Sequence, residues 1–564
     1  MSAKKIVVVG GSAAGPKAAA KARRMDQNAD ITIIQKGPDL SMASCGYPYF
    51  VGGVFDERNK LICTPTGVVR DPLFYMKAKG IRALPLTEVL EINRKEHKVK
   101  CKRLETDEEF WVDYDKLVLA TGTKPIMPPV PGTELEGITT LQSMRDADYL
   151  RKIRDEGQVK KAVVVGGGLI GMEVCEALQL AGIHITVVEM LDQILTFLDW
   201  ELAKLVENHV KSKGAMIVTG NPVTEFLGEG GKLMGIKLKN GTELPCNLAV
   251  VAVGVKPSTS LAESAGLEIG DRRGIHVNEY MQTTDEDIYA CGDCCEIPHR
   301  ITGEKMSAFY GDLANLEGRV VGKNIVEGNK TKFPGTIHTG ICKIFDWAAG
   351  STGFNEHFAR EAEYDVETAL ITALDKPGFM GANPLIMKMV ADKKSQKVLG
   401  VQCVGPGDVS KRIAEAAVGI MGGMTVEDFC NLDLPYAPPF SQALDALITL
   451  GHVMENKLQD RMQGISAKDL KEKLNKKDDM FLLDARGPDE YEQMRLGVGE
   501  TLIPIGKLRE RIGELPQDKS KEIICYCKIS LRGYEAASLL ESHGYKNVKV
   551  LEGGIVAWPY PREK

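Results

Sequence analysis

Two cysteines in this chain stand where sulfur chemistry is feasible. Cys45 lies in Leu40-Ser41-Met42-Ala43-Ser44-Cys45-Gly46-Tyr47-Pro48-Tyr49, after an apparent strand at 30–34 and a Gly37-Pro38 turn. Ser41 is expected to cap a helix whose first turn carries Cys45. Backbone N–H groups there stabilise negative charge and favour a thiolate. Cys527 ends an apolar strand at 522–527 and opens the loop Cys527-x4-Arg532 ahead of a helix at 533–540. Loop N–H groups and the Arg532 guanidinium would point inward and hold a sulfur anion. A lone cysteine is ordinarily a buried, inert thiol, and Cys525 is read that way. Cys63 and Cys342 fall in no motif.

Chemistry at Cys45 gains weight from the elements around it. Residues 4–9 read as a buried parallel strand, followed by Gly10-Gly11-Ser12-Ala13-Ala14-Gly15 and an Ala-rich helix at 16–24. A strand, a tight turn and a helix N-terminus together cradle a pyrophosphate. Gly10, Ser12, Ala13, Ala14 and Gly15 are therefore candidate dinucleotide contacts, with Ser12 where a glycine is usual. The acid expected at the end of the second strand is replaced by Gln35, next to Lys36. An amide holds a ribose hydroxyl less strongly than a carboxylate does. Lys17, Lys21 and Arg24 recur at i, i+4 and i+7 and share a helix face. They are candidate substrate-phosphate ligands, although such stripes are usually only solvated.

A second turn, Gly166-x-Gly168-Leu169-Ile170-Gly171, carries the full glycine pattern between a strand and a helix at 172–181. The next strand, 183–188, ends in Glu189. A carboxylate there accepts both ribose hydroxyls and repels a 2′-phosphate, so NADH is expected over NADPH. Short strands close these units at Ala120-Thr121-Gly122, at 248–257 with Gly254, and at Gly292-Asp293. Two dinucleotides are implied, one donating hydride and the other relaying electrons to sulfur.

At 564 residues the chain is too long for one core, at about 150 residues per domain. A net charge of −6 argues against a nucleic-acid partner. No leader is expected from the first residues, and no apolar run reaches the roughly 18 residues of a membrane span. Thirteen scattered cysteines suit a reducing cytoplasm better than a disulfide scaffold. No metal site is expected.

On the turns at 10–15 and 166–171, Ala120-Thr121-Gly122 and Cys291-Gly292-Asp293, residues 4–450 resemble the flavoprotein disulfide reductases with two dinucleotide-binding domains. Ser41-x3-Cys45-Gly46-x-Pro48-Tyr49 is similar to their single-cysteine branch, the coenzyme A-disulfide and NADH-dependent persulfide reductases. Glutathione reductase relatives carry a second cysteine at the place of Phe50. The resemblance implies FAD at the first unit, NADH at the second, and Cys45 beside the flavin, bonded in turn to its sulfur substrate. It places Ser44 by the cofactor, Ser41 by the substrate, and Cys294-Cys295 as packing near the flavin chain. Coenzyme A is a candidate ligand. Residues 333–455 resemble the family's dimerisation domain through Leu434-Pro-Tyr436-Ala-Pro-Pro-Phe-Ser441. This implies a homodimer in which Tyr436 approaches Cys45 of the partner subunit. Ser44 replaces the family's Asn, and the expected tyrosine pair falls at Gly378-Phe379-Met380. Both departures hint at a shifted sulfur substrate.

The C-terminal stretch resembles a single-domain rhodanese through Asp484-x-Arg486, Cys527-x4-Arg532 and Gly553-Gly554-Ile555-x2-Trp558. Ser530 replaces the family's loop glycine. The short loop suits a terminal sulfur, whereas related phosphatases use a longer one. The expected fold is α/β: two Rossmann-like domains, an α+β dimerisation domain and a small α/β rhodanese. The expected spans are 1–150 and 276–332 for FAD, 151–275 for NADH, 333–455 for dimerisation, 456–466 as linker and 467–564 for the rhodanese. The expected activity is NADH-dependent reduction of persulfide, polysulfide or coenzyme A-linked sulfur at Cys45, with Cys527 carrying sulfur. The alternatives are an NADH oxidase or peroxidase cycling a Cys45 sulfenic acid, and a flavin-bearing redox sensor or sulfur-transfer scaffold. Peroxidases of this type carry a histidine where Ala13 stands.

Overall fold

The computed structural model describes residues 3–564 and shows two compact units. One runs to Met190 and resumes at Val218–Thr336; the other joins Leu191–Ile217 to Ile337–Lys564. In the first unit, the strand Lys5–Val9 pairs in parallel with Asp30–Ile34 and Lys116–Leu119. Arg82–Leu84 and Ile288–Ala290 complete that sheet at its two edges. Its central strands are apolar almost throughout because helices cover parallel sheets on both faces. The helix Ala14–Met25 lies against the helix Gly311–Glu327 through small residues. A Cβ on Gly318 would fall 2.4 Å from the Ala14 carbonyl oxygen, and one on Gly322 would fall 2.5 Å from that of Ala18.

A second parallel set in this unit pairs Lys161–Val165 with His184–Val188 and Leu248–Val251. Residues 191–217, inside the expected NADH-binding span 151–275, group with the second unit. A buried ion cluster lies there. Lys388 reaches Asp199 at 3.1 Å, Glu201 at 3.4 Å and Glu356 at 2.9 Å, and Gln402 donates to Asp199 at 2.8 Å. This moors the helix Trp200–Ser212 to a five-stranded antiparallel sheet. In spatial order its strands are Gly340–Ile344, Trp347–Gly353, Val398–Gly405, Pro384–Asp392 and Val366–Leu374.

The C-terminal sheet is parallel, in the order Gly464–Ile465, Val548–Leu551, Glu522–Tyr526, Met480–Asp484 and Thr501–Leu502. The expected linker 456–466 is partly regular structure. The helix Ala446–Leu458 fills its start, and Gly464–Ile465 is already an edge strand. Among the described residues no helix is long and apolar enough to cross a membrane.

Two groups set stability predictions. Replacing Lys388 with Met leaves three carboxylates around an empty charge position. Loss of one partner of a buried ionic cluster costs about 3–5 kcal/mol, so the second unit should unfold at a clearly lower denaturant concentration. An unchanged midpoint would refute this. Glu317, buried in the helix Gly311–Glu327, accepts the Gly292 N–H at 2.6 Å, and burial pushes its carboxyl up to about 8. Its folded-state pKa lies above the unfolded one. The stability it contributes is therefore fully present below the unfolded pKa, about 4.3, and is lost as pH rises through 8. Glu317→Gln should therefore flatten the fall in melting temperature of the first unit between these pH values, and parallel curves for variant and parent would contradict it.

Candidate active site

Cys45 is exposed on a single 3-10 turn, Ser44–Gly46, and the α-helix Tyr47–Gly52 follows it. Ser41 does not cap that helix. It adopts φ +51°, its N–H donates to the Gly11 carbonyl at 2.7 Å, and its hydroxyl meets the Tyr75 hydroxyl at 2.5 Å. Ala43 donates to the Leu61 carbonyl at 2.8 Å, and Leu40 packs beneath Gly11. Ser41 therefore ties the cysteine segment to the first glycine turn instead of starting a helix.

That turn is dense. Gly10 has φ +114°, and a Cβ there would lie 2.0 Å from the Ala120 carbonyl oxygen; one on Gly15 would lie 2.0 Å from that of Gly10. Gln35 accepts the Gly11 N–H at 2.8 Å through Oε1, so its amide braces the turn. Ser12 is exposed, Ala13 is half-buried and Ala14 is buried; no side chain caps the helix start. Thr121 donates to the Ser258 carbonyl at 2.7 Å, and Gly122 takes φ +64°. Asp293 follows Gly292 on the far side, its carboxyl pushed up to about 6 by burial. Lys36 instead points to Glu88 at 2.7 Å on the surface.

The second turn repeats the architecture. A Cβ on Gly166 would fall 2.4 Å from the Ala252 carbonyl oxygen, and one on Gly171 would fall 2.1 Å from that of Gly166. Gly168 faces open space, and Leu169 and Ile170 begin the helix Leu169–Leu180. Glu189 accepts the Gly167 N–H at 2.7 Å, which holds its carboxylate at the mouth of the turn. Gly254, at φ +114°, lies just beyond the closing strand. Both turns fit a dinucleotide: no side chain caps either helix start, which leaves first-turn N–H groups for a phosphate.

Sequence reasoning missed the link between the two turns. The Tyr49 hydroxyl donates to Glu173 Oε1 at 3.2 Å, joining the helix after Cys45 to the helix after the second turn. Burial pushes Glu173 up to about 7, and the Tyr49 hydrogen bond partly offsets this. The available signal was a pair of carboxylates, Glu173 and Glu176, sharing a face of an otherwise largely apolar helix. The stripe Lys17, Lys21 and Arg24 also has more company than expected. Arg24 lines a cleft of about 640 Å³ with Lys77 and Lys79, and Arg319 and Lys323 crowd Lys21. Neighbouring Arg23 is committed to the Lys79 and Gly80 carbonyls.

In the other unit, Cys527 is fully buried just beyond the strand Glu522–Tyr526. The helix begins earlier than expected, at Leu531, which puts Arg532 in its first turn. Arg532 grips Glu490 at 2.6 and 2.8 Å, and Glu490 first, with neighbouring Cys527 adding to it, raises its pKa. The Arg532 hydrogen bond holds the Glu490 carboxyl down at about 2. Ser530 sits at φ +87°, a conformation that favours glycine. Cys525 is buried in the core. Tyr436 is 55% exposed in a cleft of about 420 Å³ with Asp375, Lys376, Asp408, Lys411 and Phe440. Phe379 is exposed at the 3-10 turn Gly378–Met380 and, as expected, supplies no hydroxyl.

Residues 4–308 match the pyridine nucleotide-disulphide oxidoreductase family, 339–448 match that family's dimerisation domain, and 466–559 match the rhodanese-like domain. The chain is 32% identical to an NADH oxidase of Methanocaldococcus jannaschii, over 78% of this chain and 96% of that one. It is 33% identical to a CoA-dependent NAD(P)H sulfur oxidoreductase of Pyrococcus furiosus, over 81% of this chain and all of that one. The solved NAD-dependent persulfide reductase from A. fulgidus superimposes with a TM-score of 0.94 at 42% identity, over 98% of this chain and all of that one. The chain belongs to the pyridine nucleotide-disulphide oxidoreductases and carries a rhodanese-like domain at its C-terminal end.

Proposed function

We propose that this flavoprotein oxidoreductase reduces sulfane sulfur at Cys45 with NADH, and that Cys527 supplies the sulfur. The observation that carries the reading is the pairing, in one chain, of an exposed cysteine pinned to a glycine turn with a Cys527 loop held by Ile555, Val556 and Ser530 next to an Arg532 fixed by Glu490. Persulfide and sulfur reductases among its relatives support it. The family uses FAD and NAD(P)H, and the flavin carries a hydride's two electrons to an S–S bond.

The residues divide the work. The first turn, with Gln35, Ser44, Ala120, Thr121, Gly122, Gly292 and Asp293, holds one dinucleotide. The second turn, with Gly254 and Glu189, holds the other, and the Glu189 carboxylate accepts ribose hydroxyls and repels a 2′-phosphate. The Cys45 thiolate attacks the outer sulfur of R–S–SH, giving Cys45–S–SH and releasing R–S⁻. Two electrons then restore the thiolate and release HS⁻. Tyr436 of the partner subunit donates to the leaving thiolate, in a homodimer built on the dimerisation domain. Lys17, Lys21 and Arg24, joined by Lys77 and Lys79, suit the phosphates of a carrier thiol such as coenzyme A. Cys527 accepts sulfane sulfur, and Arg532, steadied by Glu490, holds the terminal sulfur.

Cys45→Ser should lose at least about a hundredfold in anaerobic NADH oxidation with polysulfide or a small persulfide, as expected when a covalent nucleophile is removed. Full activity with every sulfur acceptor would sink the assignment, and turnover with peroxide alone would make the protein an oxidase or peroxidase. Cys527→Ser should abolish sulfur transfer to cyanide; unchanged transfer would remove its role. Glu189→Gln should raise the NADPH-to-NADH ratio of kcat/KM about tenfold, the scale of one charge-assisted contact. An unmoved ratio would place the ribose contact elsewhere.

A further inference from the structure

The C-terminal module is fixed to the dimerisation sheet by a polar seam. The strand Val366–Leu374 is an edge of that sheet, and an edge exposes unpaired N–H and C=O groups. Glu552 and Gly553, in the turn after Val548–Leu551, meet this edge. Glu552 Oε2 accepts the Leu370 N–H at 3.1 Å, and the Gly553 carbonyl accepts the Thr372 hydroxyl at 2.8 Å. Lys457, in the last turn of the helix Ala446–Leu458, closes the seam. Its ammonium donates to Glu552 Oε1 and to the Thr368 carbonyl at 2.5 Å, and it pairs with Glu367 at 3.2 Å. The Lys457 side chain is only 10% exposed and that of Glu552 only 8%. Gly464 must lack a side chain here, since a Cβ would overlap Glu552.

The same turn holds the Cys527 loop from its other side. Ile555 donates to the Cys527 carbonyl at 3.0 Å, Val556 donates to that of Lys528 at 3.2 Å, and Ser530 donates to the Leu551 carbonyl at 3.2 Å. A Cβ on Gly554 would press 2.6 Å from the Cys527 and Lys528 carbonyl oxygens. One short turn therefore touches the sulfur loop on one face and the dimerisation strand on the other. Past its end, that strand supplies Asp375 and Lys376 to the Tyr436 cleft. A second anchor lies elsewhere on the module. Asn208 donates to the Pro559 carbonyl at 2.6 Å, and the Trp200 and Tyr560 rings lie 5.8 Å apart. Two separated anchors suppress rotation that a single one would permit.

We propose that Lys457, acting through Glu552, is a positioning residue for sulfur delivery. It locks the Cys527 loop to the strand that leads into the Tyr436 cleft, so that the module works docked and does not swing. This rests on the reading of Cys527 as sulfur supplier. The buried polar seam is the evidence: apolar side chains would have joined the surfaces at less desolvation cost, and a hydrogen-bonded ion pair adds a defined register.

The test uses the full-length, flavin-loaded protein as Lys457→Met and Lys457→Arg variants. Three rates are compared: sulfur transfer to cyanide at Cys527, direct NADH-dependent reduction of a small disulfide, and NADH oxidation driven by a sulfur donor that enters through Cys527. Lys457→Met should lose about tenfold or more in the third rate alone, as expected for a displaced reactant, and Lys457→Arg should recover most of it. Hydrogen exchange on the same full-length, flavin-loaded protein should show amides at 366–374 and 459–463 less protected in Lys457→Met. An unchanged third rate, a parallel fall in all three, or unchanged exchange would each overturn the proposal. If the parent shows no Cys527-dependent rate while both partial rates persist, the supplier reading fails and takes delivery with it. Exchange would still decide whether the pair holds the module in place.

Discussion

Backbone laid on backbone without a Cβ between is the constraint on which the first unit depends. At Gly10 and Gly15, and again at Gly166 and Gly171, added side-chain carbons would fall 2.0–2.4 Å from carbonyl oxygens. Even alanine would force the strand, the turn and the helix apart. Because they stay together, both helices start uncapped at their turns, and the Gln35 and Glu189 side chains brace one turn each. Cys45 inherits its place from this packing, since Ser41 donates its N–H to Gly11 and Leu40 fills the space below it.

The legible part of the sequence was the part governed by local rules. A buried parallel strand is an apolar run, a tight turn needs glycine, and a ribose carboxylate must end the next strand. All three can be read without tertiary knowledge, and they led to both turns and to Glu189. The Cys527-x4-Arg532 spacing was similarly local. What escaped was tertiary. Ser41 has a capping residue's chemistry, but the nearby glycine turn and Tyr75 claim its N–H and hydroxyl. Residues 191–217 group with the second unit, where Asp199 meets Lys388, nearly two hundred residues downstream. The polar stretch 456–466 reads as a linker because its contacts lie in strands remote in sequence. Glu173 was passed over because an apolar helix gives no hint that a tyrosine from another element will meet its carboxylate.

Buried charge is unevenly distributed in the structure. In the first unit, carboxyls such as Glu173 and Glu317 sit near other carboxylates rather than a cation and are pushed toward the neutral form, mainly by burial. In the second unit, Lys388, Arg412 and Lys457 each meet carboxylates in buried clusters. The two arrangements do different work. A neutral buried carboxyl can hold a proton near neutral pH beside a turn that binds a cofactor. A buried ion pair gains little net energy over apolar packing, but it admits few alternative registers.

The sulfur loop shows why register matters there. Ser530 holds a backbone conformation that costs an ordinary residue on the order of 1 kcal/mol. Such strain persists only where its surroundings over-determine it. Three constraints converge: the Leu551 carbonyl takes the Ser530 hydroxyl, Ile555 and Val556 hold the loop carbonyls, and Glu490 fixes Arg532 from the opposite side. With Arg532 gripped at both nitrogens, its guanidinium cannot follow a mobile ligand. An anion seated at Cys527 would have to come to the guanidinium, and the fixed turn beneath the loop sets the backbone it would rest on.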